Sequence, residues 1–327
     1  MTYKNLIKTF LRPLHRHTKE GKDIYIFTLP RSGSSLLAEI ISINPKINFI
    51  GEPLLLNKNN KENLLKYFDK SFLKERYVEL SDSEQEKMFA YFNDLSNGKT
   101  LNSINWSDFF SSKHNFNTNR TLFKTHKITS LFSEFNSKLE LDIIYLLRHP
   151  ISHSLSRMRN NWATYISYFL QYEKISNKLN NKQIELCKNI EAKGSALEKF
   201  CVSWCLENYE LFELIKMNKI PKNLHIISYE ELLYKPDKSI SKLCDFIKIP
   251  FHQKMLDKIN RPSKGIVHSN KETEQKIKRG DRTYLIEKWK EKVNNDDEER
   301  IFEILNSLDI NFYEINNPLP NKKYLTN

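Results

Sequence analysis

The segment PRSGSSLL (30–37) joins an apolar run, IYIF, to a stretch with helical periodicity, LLAEII. Its residue types suit the capture of an anion. Gly33 lets the backbone bend and come close to a ligand. The amides of Ser32 to Ser35 open a helix whose N-terminus favours negative charge. Ser34 and Ser35 add hydroxyl donors, and Arg31 adds a cationic fork. The nucleoside triphosphatase signature GxxxxGK[ST] is not met, because its Lys is missing and no acidic strand end presents itself to magnesium. The chemistry read here is phosphate binding without a metal, which fits a donor other than a triphosphate.

A second stretch, LLRHPISHSLSR (146–157), sets Arg148 at the end of an apolar run and Ser156 eight residues later. Pro150 stands where a first helical turn would start, and its missing N–H costs nothing there. Arg148 and Ser156 are spaced to clamp one phosphate from two sides. Two separate phosphate sites imply a nucleotide phosphorylated at both its 5′ and 3′ positions.

These groups need a scaffold that gathers them. Four apolar runs, DIYIFTL (23–29), TLFKTHKI (121–128), DIIYLLR (142–148) and NLHIISY (223–229), read as buried parallel strands. Helical periodicity follows each, which predicts a doubly wound α/β sheet with ligands at the strands' carboxyl ends. Arg31, His126, Arg148 and Tyr229 all fall at such ends. Two long helical insertions, about 54–118 and 160–218, are expected to carry acceptor specificity. The basic segment 261–281 lacks periodicity and reads as a loop over the ligand. Residues 1–22 read as a basic N-terminal tail, and 23–327 as one domain.

The chain has 327 residues, 39% of them hydrophobic, enough for a substantial core. A net charge of +12 favours polyanionic ligands. Aromatic residues do not interleave the basic runs as a single-strand platform requires, so nucleic acid is not the expected partner. Four cysteines form no CxxC pair or metal-ligand spacing. No stretch approaches a membrane span. The expected location is cytoplasmic, with peripheral membrane contact through the basic N-terminus left open.

The two motifs together resemble those of the PAPS-dependent sulfotransferases (PAPS is 3′-phosphoadenosine 5′-phosphosulfate). PRSGSS looks like that family's 5′-phosphosulfate loop and RHPISHSLSR like its 3′-phosphate motif. YEELLYKPDKSISKLCDFIKIPF (229–251) is similar to the strand-end Tyr-Glu and the helix after it, which implies Tyr229 near the adenine. Lys264 and Gly265 match the family's basic covering loop. The resemblance implies a P-loop-type three-layer fold, a central parallel sheet flanked by helices, with PAPS as donor and no metal. Arg31 and Lys124 are then the cations that stabilise the leaving group.

Two branches of the family compete over the base. NPKINFIGEPLLL is similar to the carbohydrate enzymes and in spacing to the tyrosylprotein enzymes, which points to Glu52. FKTHKI resembles the Lys-Thr-His of the small-molecule enzymes, which points to His126. Glu52 is the preferred of the two, and a glycan the preferred acceptor. The alternatives are a small-molecule, lipid or tyrosine hydroxyl and, in other classes, a P-loop kinase or a non-catalytic nucleotide-binding protein.

Overall fold

The computed structural model describes residues 16–56, 61–74, 76–98, 115, 117–263 and 271–325. A two-residue strand, β1 (Arg16–His17), is followed by β2 (Asp23–Thr28), β3 (Ile47–Gly51), β4 (Asn117–Thr118), β5 (Arg120–Thr125), β6 (Leu141–Leu147) and β7 (Leu224–Ser228). Five of these form one all-parallel sheet in the order β3-β5-β2-β6-β7, while β1 and β4 pair apart from it. The described end of the basic N-terminal segment is thereby tied to the body of the protein.

Strand chemistry explains the layers. β2 is buried at every position, as a central parallel strand covered on both faces must be. Ile24 and Ile26 point into one apolar cluster with Ile144 and Leu146, whereas Tyr25 and Phe27 point into the other with Ile143 and Tyr145. This is the period-2 alternation of a pleated strand. The aliphatic side is covered by helix α1 (Ser34–Ile41) and by helices beyond β7. The aromatic side is covered by parts of both insertions, including Met88, Tyr91 and Phe92 of the first and Trp204 and Phe212 of the second. Sheet and helices thus make the expected three layers.

Two stretches differ from the sequence reading. β3 was not expected, because only Ile47 and Ile50 of INFIG are buried. An edge strand half-open to solvent gives a weak alternation. Within the segment read as a loop, Lys271–Lys278 is a helix. Its stripe is thin, with Thr273 the only fully buried side chain, so the 3.6-residue period is nearly silent. Residues 264–270 lie outside the described residues, and with them Lys264 and Gly265.

Four further helices position the site: α2 (Pro150–Arg159), α3 (Ala196–Glu207), α4 (Tyr229–Tyr234) and, after α5 (Lys271–Lys278), α6 (Arg282–Glu287). Among the described residues, no helix is long and apolar enough to cross a membrane.

Candidate active site

The carboxyl ends of β2, β3, β5, β6 and β7 deliver Arg31, Glu52, Lys124 with His126, Arg148 and Tyr229 to one edge of the sheet. The turn after β2 is shaped by two residues with positive φ, Arg31 at 73° and Gly33 at 90°. Gly33 caps α1, and a Cβ added to it would lie 2.3 Å from Cδ2 of Tyr229. Only glycine fits that conformation and that contact. For Arg31 the left-handed conformation costs about 1–3 kcal/mol. The surroundings hold it there: Arg148 Nη1 donates to the Arg31 carbonyl at 2.6 Å. His153, kept neutral by burial, donates from the Nε2–H of its tautomer to the Pro30 carbonyl at 3.0 Å.

The second motif therefore braces the first. Pro150 takes the first turn of α2, as its chemistry predicts. Arg148 also donates through Nη2 to Ser152 Oγ at 2.8 Å, and its guanidinium lies over the Tyr229 ring at 4.9 Å. Ser156 Oγ accepts from Arg31 Nε at 3.2 Å. Arg31 and Arg148 stand close enough that burial and Arg148 together hold the Arg31 guanidinium down at about 10. Arg148 is only 9% exposed, and its Nε has no hydrogen-bond partner among the described residues. A buried cation with a spare donor beside a second cation is an arrangement that an anion would stabilise.

Beside this cradle lies an acid–base cluster. Glu52 sits at the end of β3 with φ 51°, another strained backbone at a functional edge. Its Oε1 is 2.9 Å from His126 Nδ1 and 3.2 Å from Lys124 Nζ, and its Oε2 accepts from the His126 amide at 3.3 Å. His126 Nε2 meets Ser34 Oγ at 3.1 Å. Burial pushes the Glu52 carboxyl up, but His126 and Lys124 outweigh it and hold it down at about 2. Burial lowers the His126 imidazole below its ordinary value, with Glu52 pulling the other way. A carboxylate beside Nδ1 keeps the proton on that nitrogen. The lone pair is then at Nε2, toward Ser34 and the anion loop.

Both candidate bases and both candidate leaving-group cations thus gather at one edge of the sheet, with the acid–base cluster joined to the loop after β2 through Ser34. Ser32 is buried and Ser35 partly so. The positions not anticipated from sequence are Ser152, one helical turn from Arg148, and His153, each inside the RHPISHSLSR motif. Among the described residues, no group of His, Cys, Asp and Glu is gathered as a metal would require.

The sulfotransferase domain profile matches residues 21–309, nearly the whole of the described sheet and its helices. The chain belongs to the sulfotransferase domain family. No curated protein matches it in sequence. Among solved structures, this sulfotransferase domain is similar to the sulfotransferase domain from the curacin biosynthetic pathway, at 20% identity over 74% of this chain and 78% of that one, with a TM-score of 0.38. The sulfotransferase domain from the Synechococcus PCC 7002 olefin synthase aligns at 13% identity over 91% and 97%, TM-score 0.45. Mouse sulfotransferase SULT7A1 complexed with PAP aligns at 14% over 91% and 89%, TM-score 0.40.

Proposed function

We propose that this protein moves a sulfuryl group from PAPS to an acceptor hydroxyl, with His126 as the general base. The observation that carries the reading is the junction at Ser34: a loop built for phosphate and an oriented imidazole meet at one hydroxyl. The spare buried donor of Arg148 and the Gly33 cradle against Tyr229 fit a nucleotide bearing a second phosphate.

Sulfuryl transfer, like phosphoryl transfer, asks a protein mainly for alignment and for cations where leaving charge develops. Arg31, Lys124 and the amides opening α1 supply them. Arg31 works as a fixed charge, since a guanidinium is a poor proton donor. The acceptor hydroxyl gives its proton to His126 Nε2 once it displaces Ser34 there. The imidazolium so formed is stabilised by Glu52, whose carboxylate orients the ring from Nδ1. Glu52 itself, held at about 2 by two basic neighbours, is too weak a base to take that proton efficiently. This reverses the sequence-based preference for Glu52 and gives both residues work in one step.

The Glu52-Pro53 stretch supports a glycan acceptor. A specific observation favours the other reading: Leu55 and Leu56, immediately past it, are 49% and 39% exposed. Exposed apolar side chains three and four residues beyond Glu52 suit a lipid or small-molecule hydroxyl, and this is the acceptor class we favour. Incubation with ³⁵S-labelled PAPS and a panel of glycans, phenols and long-chain alcohols tests both parts. Label in an alcohol or phenol is the expected result. Label only in glycans overturns the acceptor class, and no transfer to any class counts against the reaction.

A further inference from the structure

The peptide plane between Pro30 and Arg31 is held from α2. Pro30 is buried, and its carbonyl accepts from His153 Nε2 at 3.0 Å. A buried carbonyl needs such a donor. His153 is itself 0% exposed, and its Nδ1 has no hydrogen-bond partner among the described residues. A cationic ring would bury a second N–H unpaired beside Arg157. The ring is therefore neutral, with its one proton at Nε2 and directed to the loop.

Two more contacts reach the same loop from the same side. Arg148 Nη1 donates to the Arg31 carbonyl at 2.6 Å, and Ser156 Oγ accepts from Arg31 Nε at 3.2 Å. Ser152, His153 and Ser156 are buried on one face of α2, spaced at three and four. Both peptide planes flanking Arg31 thus turn their carbonyls toward the second motif. These bonds are trans, so each N–H points opposite to its carbonyl. The Arg31 and Ser32 amides are thereby aimed away from those contacts. A flip of the Pro30–Arg31 plane would rotate ψ of Pro30 and φ of Arg31 together. Arg31, at φ 73°, would relax by it.

We propose that His153 is a positioning residue for the donor's 5′ group: it locks the Pro30–Arg31 peptide plane, and with it the direction of the Arg31 and Ser32 amides. The inference rests on the donor reading above and adds a residue that acts only through the loop. Arg148 and Ser156 brace the loop and are also read as phosphate ligands. The His153 side chain makes its one hydrogen bond to the Pro30 carbonyl.

Titration calorimetry with adenosine 3′,5′-bisphosphate and with adenosine 3′-monophosphate separates this role from one in packing alone. His153→Leu fills the space and offers no donor. It should bind the bisphosphate about tenfold or more weakly, and the 3′-monophosphate within about threefold of wild type. Its kcat with PAPS should also fall about tenfold or more. His153→Gln, whose amide nitrogen can stand where Nε2 does, should keep bisphosphate affinity within about threefold. Equal loss for both ligands, unchanged bisphosphate affinity in His153→Leu, or no recovery in His153→Gln overturns the inference and leaves the donor reading intact. Should His153→Leu not fold, His153→Asn, whose shorter amide falls short of Pro30, is titrated with the same two ligands and judged by the same outcomes. Absence of bisphosphate binding by the wild-type protein overturns both readings.

Discussion

At the scale of single residues, the site concentrates its cost in two backbones that are not glycine, Arg31 and Glu52, each with positive φ. Both are held by neighbours within the candidate site: Arg148 donates to the Arg31 carbonyl, and the Lys124 carbonyl accepts from the Glu52 amide. The His126 assignment makes a pH prediction with a definite sign. A base must be neutral to act, so kcat/KM should fall on the acid side with the imidazole's titration, below its ordinary value near 6.5. Glu52 raises that value, so Glu52→Gln should move the acid limb to lower pH as well as reduce kcat. His126→Ala should cost about a hundredfold or more in kcat with bisphosphate affinity largely kept. If Glu52 were the base, the limb would lie near its own value of about 2; a profile flat down to pH 4 would contradict the assignment. For Gly33→Ala, the clash with Tyr229 and the positive φ predict at least a tenfold loss of bisphosphate affinity, measured by calorimetry.

Among elements, the loop after β2 and the start of α2 act as one unit, because Arg148 and His153 hold the Arg31 and Pro30 carbonyls. Arg148→Ala should therefore weaken 5′-AMP as well as the bisphosphate, whereas a residue that serves only one phosphate would spare the mononucleotide. Paired titrations distinguish the two. The buried strands were legible because β2 and β6 are covered on both faces and read as continuous apolar runs. β3 was not, since this edge strand buries only Ile47 and Ile50, three apart and on opposite faces, and so shows no alternation. The helix Lys271–Lys278 hid for a similar reason, carrying polar residues almost all round. That the loop after β2 and Arg148 stand at neighbouring strand ends was legible from the apolar runs that precede them. Their mutual bracing was not, because backbone carbonyls as acceptors leave no trace in side-chain identity. Nor could spacing tell that Glu52 and His126, 74 positions apart, are partners and not rivals. That took the parallel register of β3 with β5, which sets Gly51 beside Lys124.

Across the whole molecule, the two insertions are joined beneath the site by a buried ionic trio. Glu207 of α3 pairs with Arg157 of α2 and, at 2.8 Å, with Arg76 of the first insertion, and Arg76 also acts on His126. Burial pushes the Glu207 carboxyl up, but Arg157 and Arg76 prevail and hold it at about 2. A lowered acid contributes stability above its unfolded value near 4.5 and loses it as pH falls toward 2. Unfolding by urea should show that loss across the same window. Glu207→Gln should destabilise by about 3–5 kcal/mol and flatten the pH dependence, since it leaves buried guanidiniums uncompensated. The net charge of +12 has a local counterpart where Arg148 Nη1 meets the Arg31 carbonyl and two guanidiniums stand together. Two cations side by side suit the nucleotide with two phosphates that we propose as the ligand. Competition binding of adenosine 3′,5′-bisphosphate against ATP and 5′-AMP tests it most directly, with and without magnesium. The bisphosphate should bind at least a hundredfold tighter than either, with or without the metal. Magnesium-dependent preference for ATP, or equal affinity for 5′-AMP, would contradict it.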